Sequence, residues 1–286
     1  MKKLSVIGLF ALVLMLSGCF YHMNYVYPNS SLYLVGDQTF DISQVDKIMI
    51  DWISGDVEVQ GLETATNIAV SEIIDADTED LYRMHYYLAD EVLFIRFAAS
   101  MSNFNHTFVT KKLIVALPTT FDSPIEINVV SSNIEISDIK SELMIDSVSG
   151  NIDIDRVASL NCEINQVSGA INFVEPAITY LNIDTVSGRV KADQGGFANI
   201  IINAVSSQIE LDIVTPLQCS IETVSGQIIL TFPSNSTFRF EYKKLAGKLN
   251  SEFPLIINND IYTVSAGGDL FHFETVSGNL TLKIAE

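Results

Sequence analysis

Apolar and polar residues alternate along much of the chain, and the alternation restarts at nearly fixed intervals. Ser131, Ser149, Ser168, Ser187, Ser206 and Ser225 each follow a valine and precede glycine or serine, at successive spacings of 18, 19, 19, 19 and 19 residues. Six residues before each serine stand Ile125, Leu143, Cys162, Leu181, Ile200 and Cys219, and isoleucine stands four before in every unit. Three after come Ile134, Ile152, Ile171, Val190, Ile209 and Ile228; five after come Ile136, Ile154, Phe173, Ala192, Leu211 and Leu230. Period-two alternation rich in β-branched residues predicts two short strands per unit, each with one buried face.

Before the serine the apolar offsets are even, and from the valine onward they are odd. A straight strand cannot change parity, because a one-residue slip turns every apolar side chain outward. The pattern therefore predicts a bend or bulge at Val-Ser-Gly, with the valine turning back into the core. Glycine suits the backbone there, and the serine hydroxyl can bond a nearby backbone group. Ser132 and Ser207 take the glycine's place in two units, so a left-handed backbone is favoured at that position without being obligatory.

Further copies lie outside the array: Lys47–Val59 around Ser54, a degraded copy over Phe240–Leu249, and a full copy over Phe271–Leu282. One such unit cannot bury its face alone, whereas a stack can. The expected fold is all-β, a β-solenoid (β-helix-like) built from stacked two-strand units of about 19 residues. Between the first copy and the array, NIAVSEII, a hairpin turning at Ala89-Asp90, and KKLIVALP read as more strands; DADTEDLYRM reads as a short helix capped by Asp77 or Thr78. The expected organisation is a signal peptide over 1–18, a lipidated cysteine and tether over 19–44, and a repetitive β domain over 45–286. Within that domain, 45–120 forms a cap region, 121–232 the regular repeats and 233–286 the C-terminal repeats.

The N-terminus sets the compartment. MKKLSVIGLFALVLMLSG has a basic start, an apolar core and small residues after it, the pattern of a secretory signal. Leu16-Ser17-Gly18-Cys19 resembles a bacterial lipobox, which implies cleavage before Cys19 and acylation of the new N-terminal cysteine. Several acyl chains, at roughly 0.8 kcal/mol per buried methylene, make a durable anchor. In the tether, Phe20, Tyr21, Tyr25 and Tyr27 suit either the membrane interface or packing on the domain.

Composition narrows the partners. The formal charge is −19, becoming −21 once Lys2 and Lys3 are removed, while 48% of residues are hydrophobic. Such a chain builds a core yet repels nucleic acid, so nucleic-acid binding is excluded.

Catalytic chemistry finds little purchase. Six serines in equivalent contexts are a structural motif rather than six nucleophiles, and no G-x-S-x-G elbow is present. His22, His85, His106 and His272 have no ligand spacing, and neither a metal nor a cofactor is expected. Cys162 and Cys219 share one offset three repeats apart, roughly 14 Å in a ladder, too far for a disulfide; both are expected as free, buried thiols. Arg156, Arg189, Lys140 and Lys191 do not share a column, which weighs against a carbohydrate-cleaving β-helix.

The column three residues before each serine holds Asn128, Asp146, Asn165, Asp184, Asn203 and Glu222. These side chains should stack on an outward face. They serve either as a hydrogen-bonded ladder or as a strip for Ca²⁺ or glycan; nothing in them resembles an EF-hand loop.

KIMIDWISGDVEV, KKLIVALP, the serial I-x-x-VSG-x-I-x-I units and the closing FETVSGNLTLKI together resemble the bacterial DUF4097 family. Its members are described as adhesins with repetitive β-structure, and Ala266-Gly267-Gly268 is a shortened counterpart of a glycine-rich loop found in relatives. The resemblance covers roughly residues 45–286 and carries no catalytic residues. The function expected is a non-catalytic, lipid-anchored protein of the bacterial cell envelope, held on the extracytoplasmic side. Its partners would be the membrane, through Cys19, and an envelope protein, a glycan or a host-surface ligand. The alternatives are a polysaccharide lyase or hydrolase, and an accessory protein of an envelope-stress response.

Overall fold

The computed structural model describes residues 25–75, 78–102, 111–214 and 216–285. The signal peptide, Cys19, Phe20, Tyr21, His22, Asp77 and His106 lie outside the described residues. The chain is all-β, with a β-solenoid-like repeat, and divides into two compact units, Met1–Gly150 and Asn151–Glu286. No helix among the described residues is long and apolar enough to cross a membrane.

The first unit contains β1 (Leu34–Val35), β2 (Gln38–Asp41), β3 (Lys47–Leu62), β4 (Asn67–Ile73), β5 (His85–Ala89), β6 (Val92–Arg96), β7 (Lys112–Pro118), β8 (Ile125–Ser137) and β9 (Leu143–Ser149). β3, the first Val-Ser-Gly-like copy, lies between two parallel neighbours. On one side is β8, pairing Ser54 with Ser131. On the other, β6 covers its first half and β7 its second. The antiparallel strands β5 and β4 then close that end by pairing with β6 and β7. Parallel β-strand edges invite further pairing, and an antiparallel cover blunts them. The β5–β6 hairpin turns at Asp90 and Glu91, both with positive φ, as a tight two-residue hairpin requires. The helix expected over DADTEDLYRM is reduced to one 3₁₀ turn, Asp80–Tyr82; Glu79 precedes it without a side-chain cap, and the Thr78 N–H bonds back to Asp75. Too few residues separate β4 from β5 for a longer helix to recover its nucleation cost.

The second unit contains β10 (Ile152–Asp155), β11 (Ala158–Val174), β12 (Ala177–Ile213), β13 (Gln218–Phe232), β14 (Phe238–Ala246), β15 (Leu249–Ser251), β16 (Leu255–Asn258), β17 (Ile261–Val264) and β18 (Leu270–Ile284). Parallel registers align Ser168 with Ser187, Ser206 with Ser225, and Ser225 with Ser277. Strand order departs from chain order at the C-terminus. The last strand, β18, inserts between β13 and β14, leaving the degraded copy outermost, with Ala246 beside Ser277. β17 then pairs antiparallel with β14, and β16 antiparallel with β17. An intact copy thus stacks on an intact copy, and the imperfect one has to match only one other repeat, its second neighbour being the antiparallel β17. The core at this end changes from aliphatic to aromatic: Phe232, Phe238, Phe240, Phe271 and Phe273 are fully buried, and Phe238 stacks on Phe271 at 5.1 Å.

Apolar columns at six and four before the serine, and at three and five after, are buried as the alternation predicts. Each fully buried Ile, Leu or Val contributes about 1.5–3 kcal/mol. The valine itself corrects the expectation. Val148, Val167, Val186, Val205 and Val224 are only half-buried, and Val276 is exposed. The residue before each valine is the buried one: Ser147, Gln166, Thr185, Ala204, Thr223 and Thr275. The strand keeps its inward parity one residue pair longer than the sequence suggests, and the change of face falls on Val-Ser-Gly itself. A hydroxyl beneath the bend can serve the backbone, as when Thr223 Oγ1 donates to the Ser225 carbonyl at 2.9 Å. That accounts for Thr223; the Ser147 and Thr275 hydroxyls are buried without such a bond.

The bend is also continuous with the ladder, since β12 passes through two Val-Ser units with no intervening loop. Gly188 has φ +133°, and a Cβ there would stand 1.9 Å from the Gly169 carbonyl oxygen. Neither Ser132 nor Ser207 has a positive φ, so the left-handed backbone is indeed dispensable in those units.

Candidate functional site

A parallel ladder sets equivalent residues side by side about 4.8 Å apart, so an offset that repeats in sequence becomes a column in space. In the first unit Asn128 lies between Asp51 and Asp146. Its Nδ2 donates to Asp51 Oδ1 at 2.9 Å and to Glu126 Oε1 at 3.2 Å. Asp51 also pairs with the mostly buried Arg96, and Glu126 with Lys47 at 2.7 Å. The guanidinium of Arg96 lies 5.5 Å from the ring centres of Tyr27 and Phe94. In this unit the column belongs to a closed network of charges and aromatic rings.

In the second unit the column runs as neighbouring pairs: Asn165 beside Asp184, Asn203 beside Glu222, and Glu222 beside Glu274. Asn203 Nδ2 donates to Asp184 Oδ1 at 2.8 Å across one repeat. Asp51 and Glu274 extend the set inferred from the main array. Each stands three residues before the serine of an outlying copy, so the same offset applied to Ser54 and Ser277 locates them. The alternation of amide and acid fails at Glu222 and Glu274. Lys243 occupies the position beyond Glu274 and pairs with Glu241 at 3.1 Å.

Amide-to-carboxylate bonding recurs elsewhere on the surface. Asn133 donates to Asp56 at 3.1 Å in the first unit, and Asn172 to Asp153 at 2.7 Å in the second. The second unit also shows Tyr180, which shares the outward parity of Asp184 and is 52% exposed. Its strand neighbour across the ladder is Asn161. The clue in the sequence was its offset, seven before Ser187, which keeps it on the outward face.

The serines are structural. Ser149, Ser187 and Ser225 donate to the carbonyls of Val130, Val167 and Val205, at 3.2, 3.4 and 3.5 Å, tying each corner to the preceding repeat. His85 is buried with Nδ1 2.9 Å from the Arg83 carbonyl, and burial lowers its pKa. His272 is exposed, 3.5 Å from Glu241. Arg156, Arg189 and Lys191 pair with Asp155, Glu210 and Asp193 respectively. Among the described residues no three or more His, Cys, Asp or Glu side chains converge as a metal site.

Cys162 and Cys219 are free and buried, lying beside Leu181 and Ile200 respectively. Burial pushes the Cys162 thiol up to about 12 and raises Cys219 as well.

Among the described residues the first unit holds a buried ion pair. Lys111 and Glu72 side chains are wholly inaccessible and 2.9 Å apart. The Lys111 ammonium also donates to the carbonyls of Tyr82 and Phe97, and lies 4.7 Å from the centre of the Trp52 ring. Burial lowers its pKa to about 8 despite the attraction of Glu72. The pair joins the loop before β5 to β4 and the start of β7.

A family model described as Toastrack DUF4097 matches residues 45–283. No curated protein matches the chain. A solved structure named "putative lipid binding protein", from Parabacteroides distasonis ATCC 8503, is 17% identical, with 87% of this chain and 96% of that chain covered and a TM-score of 0.53. One named "putative adhesin", from Bacteroides fragilis NCTC 9343, is 15% identical over 88% of this chain and 97% of that chain, with a TM-score of 0.46. Another of that name, from Parabacteroides merdae ATCC 43184, is 13% identical over 88% and 96%, with a TM-score of 0.41.

Proposed function

The chain belongs to the Toastrack DUF4097 family, and from that premise we propose that it is a lipid-anchored, non-catalytic binding module of the bacterial cell envelope. The observation that carries this reading is the outward column of the second unit. Asn165, Asp184, Asn203 and Glu222 sit in register on a stacked ladder, with Tyr180 standing exposed on the same face. Carboxylates and amides accept and donate hydrogen bonds to hydroxyls, and an exposed ring offers a flat apolar platform. This chemistry suits a neutral or basic extracytoplasmic ligand such as a glycan, and the net charge of −19 disfavours an anionic one. The lipobox supplies the anchor, and the local pairing of Arg156, Arg189 and Lys191 speaks against a catalytic rung.

The test has two arms. Cys19→Ala should move the protein from the membrane to the soluble extracytoplasmic fraction and abolish fatty-acid labelling. Purified protein should bind at least one isolated envelope glycan, with Asp184→Ala and Tyr180→Ala each weakening binding about tenfold, the loss expected for one hydrogen-bonding or stacking anchor. Membrane retention of Cys19→Ala would refute the anchor. Unchanged binding by both face variants would refute the assignment of the face.

A further inference from the structure

The segment that follows the lipidation site is not free of the folded unit. From Tyr25 onward it packs on the first unit. The Tyr25 hydroxyl accepts the Phe97 N–H at 3.1 Å, and the Met101 N–H donates to the Tyr25 carbonyl at 2.5 Å. Tyr27 is buried, its hydroxyl donates to the Ala98 carbonyl at 3.0 Å, and its N–H bonds to Ser100 Oγ at 3.2 Å. The rings of Tyr25, Tyr27, Tyr33 and Tyr87 form a continuous series with centres 4.7–5.4 Å apart. Tyr25 and Tyr27 are thus committed to the domain.

Aliphatic side chains take the exposed places around them. Val26 is 66% exposed, Leu32 52%, Leu34 59% and Met101 70%. Leu81 adds to this group: its carbonyl accepts bonds from Ala99 N–H and Ser102 Oγ, beside Met101. Leu34 follows Tyr33 and pairs with Tyr86 on β5. Single exposed apolar residues are ordinary on a protein surface. A group of them ringing one chain entry point marks an interaction site.

Chain length identifies the occupant. Five residues, Phe20–Asn24, separate Cys19 from Tyr25. At about 3.6 Å per residue, Cys19 can lie no more than about 22 Å from Tyr25. An acylated Cys19 therefore keeps this collar within reach of the headgroups, at an effective concentration of order mM. At that concentration even a weak apolar contact is populated. We propose that Val26, Leu32, Leu34, Leu81 and Met101 form a membrane-docking collar that rests on the lipid interface and holds the first unit against the bilayer. The proposal rests on the lipidation of Cys19 argued above. The exposed charges nearby, Asp37, Glu79 and Asp80, are acidic, so docking depends on apolar insertion and not on anionic headgroups.

The experiment uses the full-length lipidated protein in phosphatidylcholine vesicles containing a spin-labelled lipid quencher. Leu34→Cys, Met101→Cys and, as a reference, Met144→Cys are labelled with an environment-sensitive fluorophore. The buried Cys162 and Cys219 thiols do not compete. Met144 is exposed on β9, three ladder steps from β6, or roughly 14 Å. Quenching at positions 34 and 101 should exceed that at 144 by about threefold, as expected for side chains at the acyl boundary. A Val26→Asp, Leu32→Asp pair should reduce quenching at 101 while Cys19 stays acylated.

Intact mass analysis separates the two ideas. An unmodified Cys19 overturns the anchor, and docking with it. An acylated Cys19 with equal quenching at all three sites overturns docking alone. Disulfide-linked dimers through Leu34→Cys in vesicles would show a second copy on the collar and also overturn docking on lipid.

Discussion

Replacing Gly188 by alanine tests the corner where Val-Ser-Gly turns the chain. Gly188 has φ +133°, a region that side-chain-bearing residues rarely enter, and an added Cβ would stand 1.9 Å from the Gly169 carbonyl oxygen. Normal contact starts above about 3 Å, so the two strands must separate by more than about 1 Å or the residue must leave its backbone region. Separation stretches ladder hydrogen bonds whose optimum lies near 2.9 Å. Losing one or two of them costs about 0.5–1.5 kcal/mol each, and residual backbone strain about 1–3 kcal/mol. The expected loss is about 1.5–6 kcal/mol, reaching beyond the range of ordinary substitutions.

Ser187→Ala is the matched control. Its hydroxyl donates at 3.4 Å from a half-buried position, so about 0.5 kcal/mol should be lost. Ser207→Gly, at the same place one repeat later and without a positive φ, should cost no more than about 1 kcal/mol. Urea unfolding followed by far-ultraviolet circular dichroism gives the three values from midpoint shifts. The reasoning fails if Gly188→Ala costs less than about 1 kcal/mol, or if Ser187→Ala costs as much as Gly188→Ala.

Three further outcomes follow from buried or strained groups. Cys162 and Cys219 should react with a thiol reagent at least roughly 100-fold more slowly in native than in unfolded protein, because burial keeps both as thiols; rapid native labelling of either would contradict the register. Lys111 has a folded pKa lowered to about 8, so between there and its unfolded value of 10.5 the unfolded chain binds more protons and stability rises with pH, by up to roughly 3 kcal/mol. Tyr27, raised to about 12, reverses the trend above its unfolded value of 10.0, where the unfolded chain loses its proton first. Melting profiles should therefore show a rise from pH 8 that turns over near pH 10, and a profile of Lys111→Met with the same rise would exclude the lysine as its cause. Finally, Gln194 has φ +54°, and glycine there relieves about 1–2 kcal/mol of left-handed strain against about 0.5–1 kcal/mol of added chain entropy. Gln194→Gly should leave the melting temperature unchanged or raise it slightly, and a clear fall would count against the strain.

The register of the fold was legible because it rests on repetition. A column of isoleucine four before each serine can be placed without knowing anything else, and so can the separation of Cys162 from Cys219. Two features were hidden for physical reasons. The buried place before each valine is filled by Ser147, Gln166, Thr185 or Thr223, and a hydropathy pattern assigns polar residues outward. The ladder register holds them inward, and at Thr223 the hydroxyl also serves the backbone at the bend. The second corner was equally hidden. Asp138, Arg156, Glu175 and Gln194, each seven after a serine, all have positive φ, yet none is glycine or asparagine. The insertion of β18 between β13 and β14 was invisible too, since a repeat specifies what can stack and not in what order.

The outward column reads differently in the two units, and that difference bears on whether a ladder can also be a binding face. In the first unit Asp51 is engaged by both Asn128 and Arg96, and Asn128 spends its amide on Asp51 and Glu126. The Asp51 carboxylate and the Asn128 amide nitrogen are thus both engaged within the unit. In the second unit Asn203 donates to Asp184 through one amide group. An amide carries two donor hydrogens and an acceptor oxygen, and a carboxylate about four lone-pair sites. One lateral bond orients both side chains and leaves most of their capacity facing outward. Orientation by a neighbour lowers the entropy lost when a ligand binds, so the ladder bond prepares the face rather than competing with it. A structural role for Asp184 and Asn203 is therefore what makes a recognition role physically economical, and Tyr180 on the same face provides the apolar surface that amides and acids lack.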